Sequence, residues 1–177
     1  MKIPQQLETA RLILRRLTEA DIQPFYGFLS DTDSTRYMAF TEDQKTLESA
    51  TAMVEATIAS YNTNDAIFVL AITLKDTRKY MGAVGASPDP DADATEIFYT
   101  LLPDYRGKGY AVEAAKRLVQ YLEDEEEVSR ITAYTMTGNE SSIRVAQSLG
   151  MTFDAHVVRE GYGGSRYLLT GEQKTGS

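Results

Sequence analysis

The chain has 177 residues, 42% of them hydrophobic, which is enough for one well-buried domain and short for two. It contains no cysteine and one histidine, His156, so disulfides, thiolate metal sites, a cysteine nucleophile and a histidine-rich metal cluster are excluded. A formal net charge of -8 runs against general nucleic-acid binding, no apolar run reaches the roughly 18 residues of a membrane span, and the first residues lack a signal-peptide core. A cytoplasmic protein without a metal, nucleic-acid or membrane partner is expected.

Leu12-Ile13-Leu14, flanked by Arg11, Arg15 and Arg16, reads as a first strand. Thr18 then offers a helix N-cap with Asp21 as its capping-box partner, and Ile22, Phe25 and Leu29 follow at helical spacing. Pro24 interrupts that pattern, so a kinked or two-piece helix is expected. Residues 31–40 read as a loop carrying Arg36, Tyr37, Met38 and Phe40. Leu47, Ala50, Val54, Ile58 and Tyr61 recur every three or four residues and predict a second helix.

Residues 67–74 and 80–86 predict an antiparallel hairpin around the polar turn 75–79. A polar loop, 88–94, leads to a strand over 95–102, and an amphipathic helix follows over 111–122. The acidic run at 123–127 reads as its solvated end. A strand over 131–136 precedes a short helix, 143–149, closed by Gly150. Strands 153–159 and 166–169, with Gly161-Tyr162-Gly163-Gly164 as the turn, complete the chain. The order predicts one α/β (α+β) domain over residues 1–177 with a mixed, mostly antiparallel, seven-stranded sheet flanked by helices, not a doubly wound parallel one. Residues 171–177 are expected to form a disordered tail.

The segment from Pro103 to Ala111 joins a strand to the long helix through two glycines. Successive N–H groups in such a turn, with a helix N-terminus behind them, form a concave anion site. Arg106 and Lys108 add positive charge, so the expected guest is a phosphate or pyrophosphate. In an acidic protein, that site must rely on directed N–H groups rather than the global field. No Walker string occurs, and the dinucleotide fingerprint fails because Val112 stands where its third glycine belongs.

Arg106, Gly109 and Ala111 fit the pattern Arg/Gln-x-x-Gly-x-Gly/Ala, and through it the chain resembles the GNAT acetyltransferase superfamily, which binds the pyrophosphate arm of acetyl-coenzyme A there. Four further strings carry the resemblance along nearly the whole chain: Leu7 to Arg15, Tyr80 to Gly85, Glu96 to Tyr99, and Asn139-Glu140-Ser141-Ser142-Ile143 with Leu149-Gly150-Met151 behind it. They look like the ribosomal-protein N-acetyltransferase-like (RimJ/RimL-type) branch. The resemblance implies that the fourth and fifth strands splay and admit the pantetheine arm of acetyl-CoA, which serves as co-substrate with no metal. It further implies that backbone groups of Leu101 and Leu102 line that arm, and that Arg106, Gly107, Lys108, Gly109, Tyr110 and Ala111 hold the pyrophosphate. Asn139 and Ser142 would meet the pantetheine and sulfur, Ser142 as the acid for the leaving thiolate. Asn139 also reads as an ordinary helix N-cap.

A primary amine can attack a thioester directly, so such an enzyme needs positioning, a base, oxyanion stabilisation and an exit for the thiolate. Glu96 is the candidate base; the competing reading is a strand carboxylate paired with an arginine. Glu160 corresponds loosely to a carboxylate used by some relatives, His156 reads as structural, and Tyr134 reads either as acceptor-pocket lining or as a core or surface residue. The resemblance puts the acceptor groove between the first helix pair and the last hairpin, with Arg36, Tyr37, Met38, Phe40 and Tyr162 as wall residues. The acidic balance favours a cationic acceptor, a homodimer is left open, and the acceptor is a protein N-terminus or a small amine. A non-catalytic acyl-CoA-binding sensor is the alternative from another class, with a nucleotide-binding α/β enzyme a distant third.

Overall fold

In the computed structural model, which describes residues 1–64 and 67–171, the element order is β1 (Gln6–Glu8), β2 (Leu12–Arg16), α1 (Ile22–Leu29), α2 (Thr32–Thr35), α3 (Leu47–Ser60), β3 (Phe68–Leu74), β4 (Tyr80–Asp89) and β5 (Ala94–Leu101). There follow α4 (Tyr110–Glu125), β6 (Arg130–Met136), α5 (Glu140–Ser148), β7 (Thr152–Arg159) and β8 (Tyr162–Thr170). The strands form one sheet in the order β1-β2-β3-β4-β5-β6-β8-β7. Every neighbouring pair is antiparallel except β5 and β6. Parallel strands need a crossover, and α4 supplies it. The mixed, mostly antiparallel α/β fold is the one expected.

The core lies against the sheet, with Leu12, Leu14, Leu70, Ile72, Met81 and Ile97 packed with Leu118 and Leu122 of α4. Ala114 and Ala115, fully buried, bring that helix close to the strands. The two-piece first helix is present: a 3-10 turn, Glu19–Asp21, leads into α1. Pro24 falls in the first turn of α1, where its missing N–H forfeits no intrahelical bond. The Thr18 N–H donates to Asp21 Oδ2 at 2.8 Å, and Arg15 grips the same carboxylate at 2.7 and 2.8 Å.

The sheet has eight strands among the described residues rather than seven. The extra one, β1, places Leu7 in the core between exposed Gln6 and Glu8, too short a pattern to read as a strand. The expected loop 31–40 begins with a one-turn helix, α2, because the Asp31 carboxylate accepts the Ser34 N–H at 2.8 Å. The last hairpin turns on Glu160 and Gly161, both at positive φ (51° and 84°), so Tyr162, Gly163 and Gly164 belong to β8. Gly164 serves close packing: a Cβ there would lie 2.4 Å from the Thr135 carbonyl oxygen and 2.6 Å from the Tyr134 ring. Of the expected tail, residues 172–177 lie outside the described residues, and Gly171 donates its N–H to Ser129 at 2.9 Å. Among the described residues, no helix is long and apolar enough to cross a membrane.

Candidate active site

The site starts from what β5 and β6 do not share. Their pairing consists of Thr95 with Ile131 and Glu96 with Thr132. Beyond Glu96 the two strands diverge, while β5 stays paired to β4 as far as Leu101 and β6 to β8 as far as Met136. Leu102 donates its N–H to Met81 O at 2.8 Å, on the β4 side. Ladder alternation therefore turns the N–H and C=O groups of Tyr99 and Leu101 toward the gap. A strand edge facing a gap must find partners, in water or in a ligand. Leu102, expected beside Leu101, is otherwise occupied: besides its N–H, its carbonyl accepts from Tyr105 N–H at 3.0 Å.

The glycine turn sits at the end of this gap. Gly107 and Gly109 take φ of 71° and 79°, the left-handed region that glycine enters without strain. Gly109 is the N-cap of α4 and has no side chain to cap it. The first intrahelical bond closes onto it, from Glu113 N–H to Gly109 O at 3.0 Å, so the N–H groups of Tyr110, Ala111 and Val112 have no acceptor four residues back. A Cβ on Gly107 would meet nothing within 4 Å, so the turn faces open space. Both neighbouring cations fold back onto the protein. Arg106 Nε donates to the Leu101 carbonyl at 3.0 Å and the same guanidinium to Ser34 Oγ; Lys108 Nζ donates to the Asp104 carbonyl at 2.8 Å.

A brace that the sequence did not reveal holds the turn. Arg11 stacks on the Tyr110 ring at 4.4 Å and donates from Nη1 to the Lys108 carbonyl at 3.1 Å. The Glu113 carboxylate receives the Thr9 hydroxyl (2.5 Å), the Arg11 N–H (2.9 Å) and Arg11 Nε (2.7 Å). Burial would raise the Glu113 pKa, but these donors outweigh it and hold the carboxyl below its usual value.

On the other flank of the gap stands the start of α5. Asn139 is its N-cap, with Oδ1 accepting the Ser142 N–H at 3.2 Å and the Ser141 hydroxyl at 2.9 Å. The Tyr99 hydroxyl reaches across from β5 to Ser142, 3.0 Å from its carbonyl oxygen and 3.1 Å from its Oγ. Burial raises the Tyr99 pKa, and the Ser142 contact pulls only partly the other way. Asn139 is thus a cap and also stands at the gap.

Glu96 lies elsewhere, in a cleft of about 710 Å³ lined by Tyr37, Met38, Phe40, Asp89, Asp91, Tyr134, Arg159 and Glu160 among others. Its carboxylate pairs with the Arg159 guanidinium, which also meets Asp89 at 3.3 Å and lies 4.8 Å from the centre of the Tyr134 ring. Asp89 is buried and takes the Thr132 hydroxyl at 2.8 Å. Burial would lower the Arg159 pKa, but Glu96, Asp89 and Asp91 together raise it. Tyr134 is pushed up by burial and donates to the Tyr162 carbonyl at 2.9 Å.

Of the expected acceptor residues, Tyr37, Met38 and Phe40 line this cleft. Arg36 and Tyr162 are not among its lining; Arg36 lies over the ring of its neighbour Tyr37, and Tyr162 is exposed. Tyr37 links cleft and gap, since a Cβ on Gly138, beside Asn139, would lie 3.6 Å from its hydroxyl. His156 sits on β7, 4.8 Å from the Phe153 ring and 3.4 Å from Ser165 Oγ, away from both. Sequence reasoning missed Arg11, Tyr99, Asp89 and Arg159. The cluster of arginines around the first strand was the one available signal, and it did not say which arginine reaches the turn.

A splayed parallel strand pair, a glycine turn opening a helix and a second helix capped at the gap define an acyltransferase-type α/β domain. The family model described as an acetyltransferase (GNAT) domain matches residues 11–152, and the chain belongs to this family of N-acetyltransferases. The N-acetyltransferase YoaA of Bacillus subtilis, itself uncharacterized, is 31% identical over 145 residues, 81% of each chain. A crystal structure of an acetyltransferase from Agrobacterium tumefaciens superposes with a TM-score of 0.78 at 25% identity, covering 96% of this chain and 95% of that one. The microcin C7 self-immunity acetyltransferase MccE, solved with acetyl-CoA and AMP, shares the fold with a TM-score of 0.79 at 19% identity, over 94% and 97% of the two chains.

Proposed function

We propose that the protein moves the acetyl group of acetyl-CoA to the primary amine of a cationic acceptor, and that it belongs with the ribosomal-protein N-acetyltransferase-like branch. The observation that carries this reading is the open edge of β5 facing the gap, directly above an uncapped glycine turn. The pantetheine amides fit the backbone N–H and C=O of Tyr99 and the N–H of Leu101, whose carbonyl is taken by Arg106. The pyrophosphate fits the N–H groups of residues 107–111, with Arg106 and Lys108 beside them. Asn139 and Ser142 stand where the arm ends, which supports the branch assignment made from their motif.

The amine enters through the cleft. Glu96, oriented by Arg159, is the base and draws the ammonium proton through water; Glu160, on the adjoining turn, is the other candidate base in the same cleft. Ser142 assists the departing thiolate. Four carboxylates of the lining, Asp89, Asp91, Glu96 and Glu160, face one guanidinium, Arg159, which favours an acceptor that carries positive charge. Both a small amine and a protein N-terminus meet that requirement.

The test is acetyl-CoA titration by calorimetry, followed by thiol release against monoamines, polyamines and N-terminal peptides. Binding with acceptor-dependent thiol release is expected, strongest for cationic acceptors. Absence of acetyl-CoA binding would overturn the reading of the gap; binding with preference for anionic acceptors would overturn the reading of the cleft.

A further inference from the structure

Residue 99 sits on β5, residue 142 in the first turn of α5, and they meet through a phenol hydroxyl that burial keeps protonated. The Ser142 N–H is held independently by Asn139, so the position of its backbone does not depend on Tyr99. What Tyr99 controls is the direction of the serine proton.

The count of donors and acceptors makes this specific. A tyrosine hydroxyl has one proton and can also accept; a serine hydroxyl likewise. When Tyr99 donates to the Ser142 carbonyl at 3.0 Å, its oxygen is free to accept the Ser142 proton at 3.1 Å, and that proton points away from any ligand. When Tyr99 instead donates to Ser142 Oγ, the serine proton is released to face the gap. We propose that Tyr99 is a positioning residue for the transfer reaction, which turns its proton from the Ser142 carbonyl to Ser142 Oγ and so aims the serine hydroxyl at the leaving sulfur. This inference rests on the proposed place of the thioester beside Ser142.

The step balances without any proton leaving the pair. The amine nitrogen forms its bond to the acetyl carbon and gives a proton to the base. The carbon–sulfur bond breaks with its electron pair on sulfur, and the thiolate departs carrying a hydrogen bond from Ser142. Tyr99 and Ser142 each keep their own proton; only the directions change. A hydrogen bond to a developing anion is worth more than one to the neutral thioester, so the effect falls on the transition state.

The experiment compares single-turnover acetyl transfer in the full chain with Tyr99→Phe, Ser142→Ala and the double variant. Tyr99→Phe removes one oxygen and keeps the ring, and acetyl-CoA affinity by calorimetry reports whether the gap is intact. Expected is a loss of about tenfold in the transfer rate for Tyr99→Phe, with acetyl-CoA affinity unchanged. In the Ser142→Ala background the same change should have almost no further effect, because the residue acts through Ser142. Equal losses in both backgrounds, or an unchanged rate in Tyr99→Phe, would overturn the proposal. Should Tyr99→Phe weaken acetyl-CoA binding and nothing else, the residue shapes the gap and the positioning role is wrong. An unsubstituted protein that binds acetyl-CoA but transfers to no amine would instead fault the proposed function, which separates the two failures.

Discussion

Gly109 sits at φ 79° and closes the first hydrogen bond of α4 without offering it a cap. Gly109→Val forces a β-branched residue into the left-handed region, at a cost of about 1–2 kcal/mol, and puts a Cβ 3.5 Å from Arg11 Nη2, against the guanidinium that braces the turn. Calorimetry should show acetyl-CoA affinity reduced by about tenfold or more; an unchanged Kd would move the pyrophosphate off the turn. Glu96→Gln keeps the shape of the carboxylate and its contact with Arg159 but removes its basicity. The rate of transfer should fall by about 100-fold with acetyl-CoA affinity unaltered, and an unchanged rate would shift the base to Glu160 or water. At this scale the sequence named the motif residues, because glycine spacing and the Asn-x-x-Ser string are local signals. It offered an arginine partner for Glu96 as the competing reading but did not say that the arginine is Arg159, since the two lie far apart in the chain and meet only when β7 folds beside β8.

Two links between elements can be tested on stability. Arg159 ties β7 to Asp89 at the end of β4, where the aspartate side chain is 1% exposed. Arg159→Met would leave that carboxylate with the Thr132 hydroxyl as its side-chain partner among the described residues, and urea unfolding should report a loss of about 3 kcal/mol. A loss within about 0.5 kcal/mol, as for an ordinary surface change, would mean that the strap carries no weight. The second link is the Glu113 brace between the start of the chain and α4. Its carboxyl is held below the usual value of 4.5, so the charged form stabilises the fold. That contribution is complete above the unfolded pKa and disappears as pH falls through the lower folded one. Glu113→Gln should therefore cost about 1 kcal/mol at neutral pH, and the gap between the two proteins should close in acid. A gap that persists below the carboxylate range would assign the cost to packing instead.

Helices α3, α4 and α5 were legible because each combines periodic apolar residues with a cap or a glycine. The strand β1 was not, for three residues hold too little alternation to separate strand from loop. Gly164 misled for a physical reason: glycine marks both a turn and a close approach of backbone to side chain, and here the Tyr134 ring occupies the space that a Cβ would need.

For the molecule as a whole, function follows from one interruption in an otherwise continuous sheet. Among the described residues, seven neighbouring pairs bind eight strands, and the single parallel pair, β5 with β6, is the one that opens. The crossover through α4 both forces the parallel pairing and delivers a helix N-terminus to the mouth of the gap. The order of elements was readable from periodicity, whereas the opening was expected only through resemblance to a family. Pairing register depends on contacts between distant segments, and periodicity carries no record of it.

Amide hydrogen exchange with and without acetyl-CoA, read at Tyr99, Leu101 and residues 107–111, is the direct test of the gap as the acetyl-CoA site. Acetyl-CoA should slow exchange at Tyr99 and Leu101, which face the gap, and at the turn, while leaving the β4-facing amide of Leu102 unaffected. Protection confined to other parts of the sheet, with these amides unchanged under saturating ligand, would contradict it.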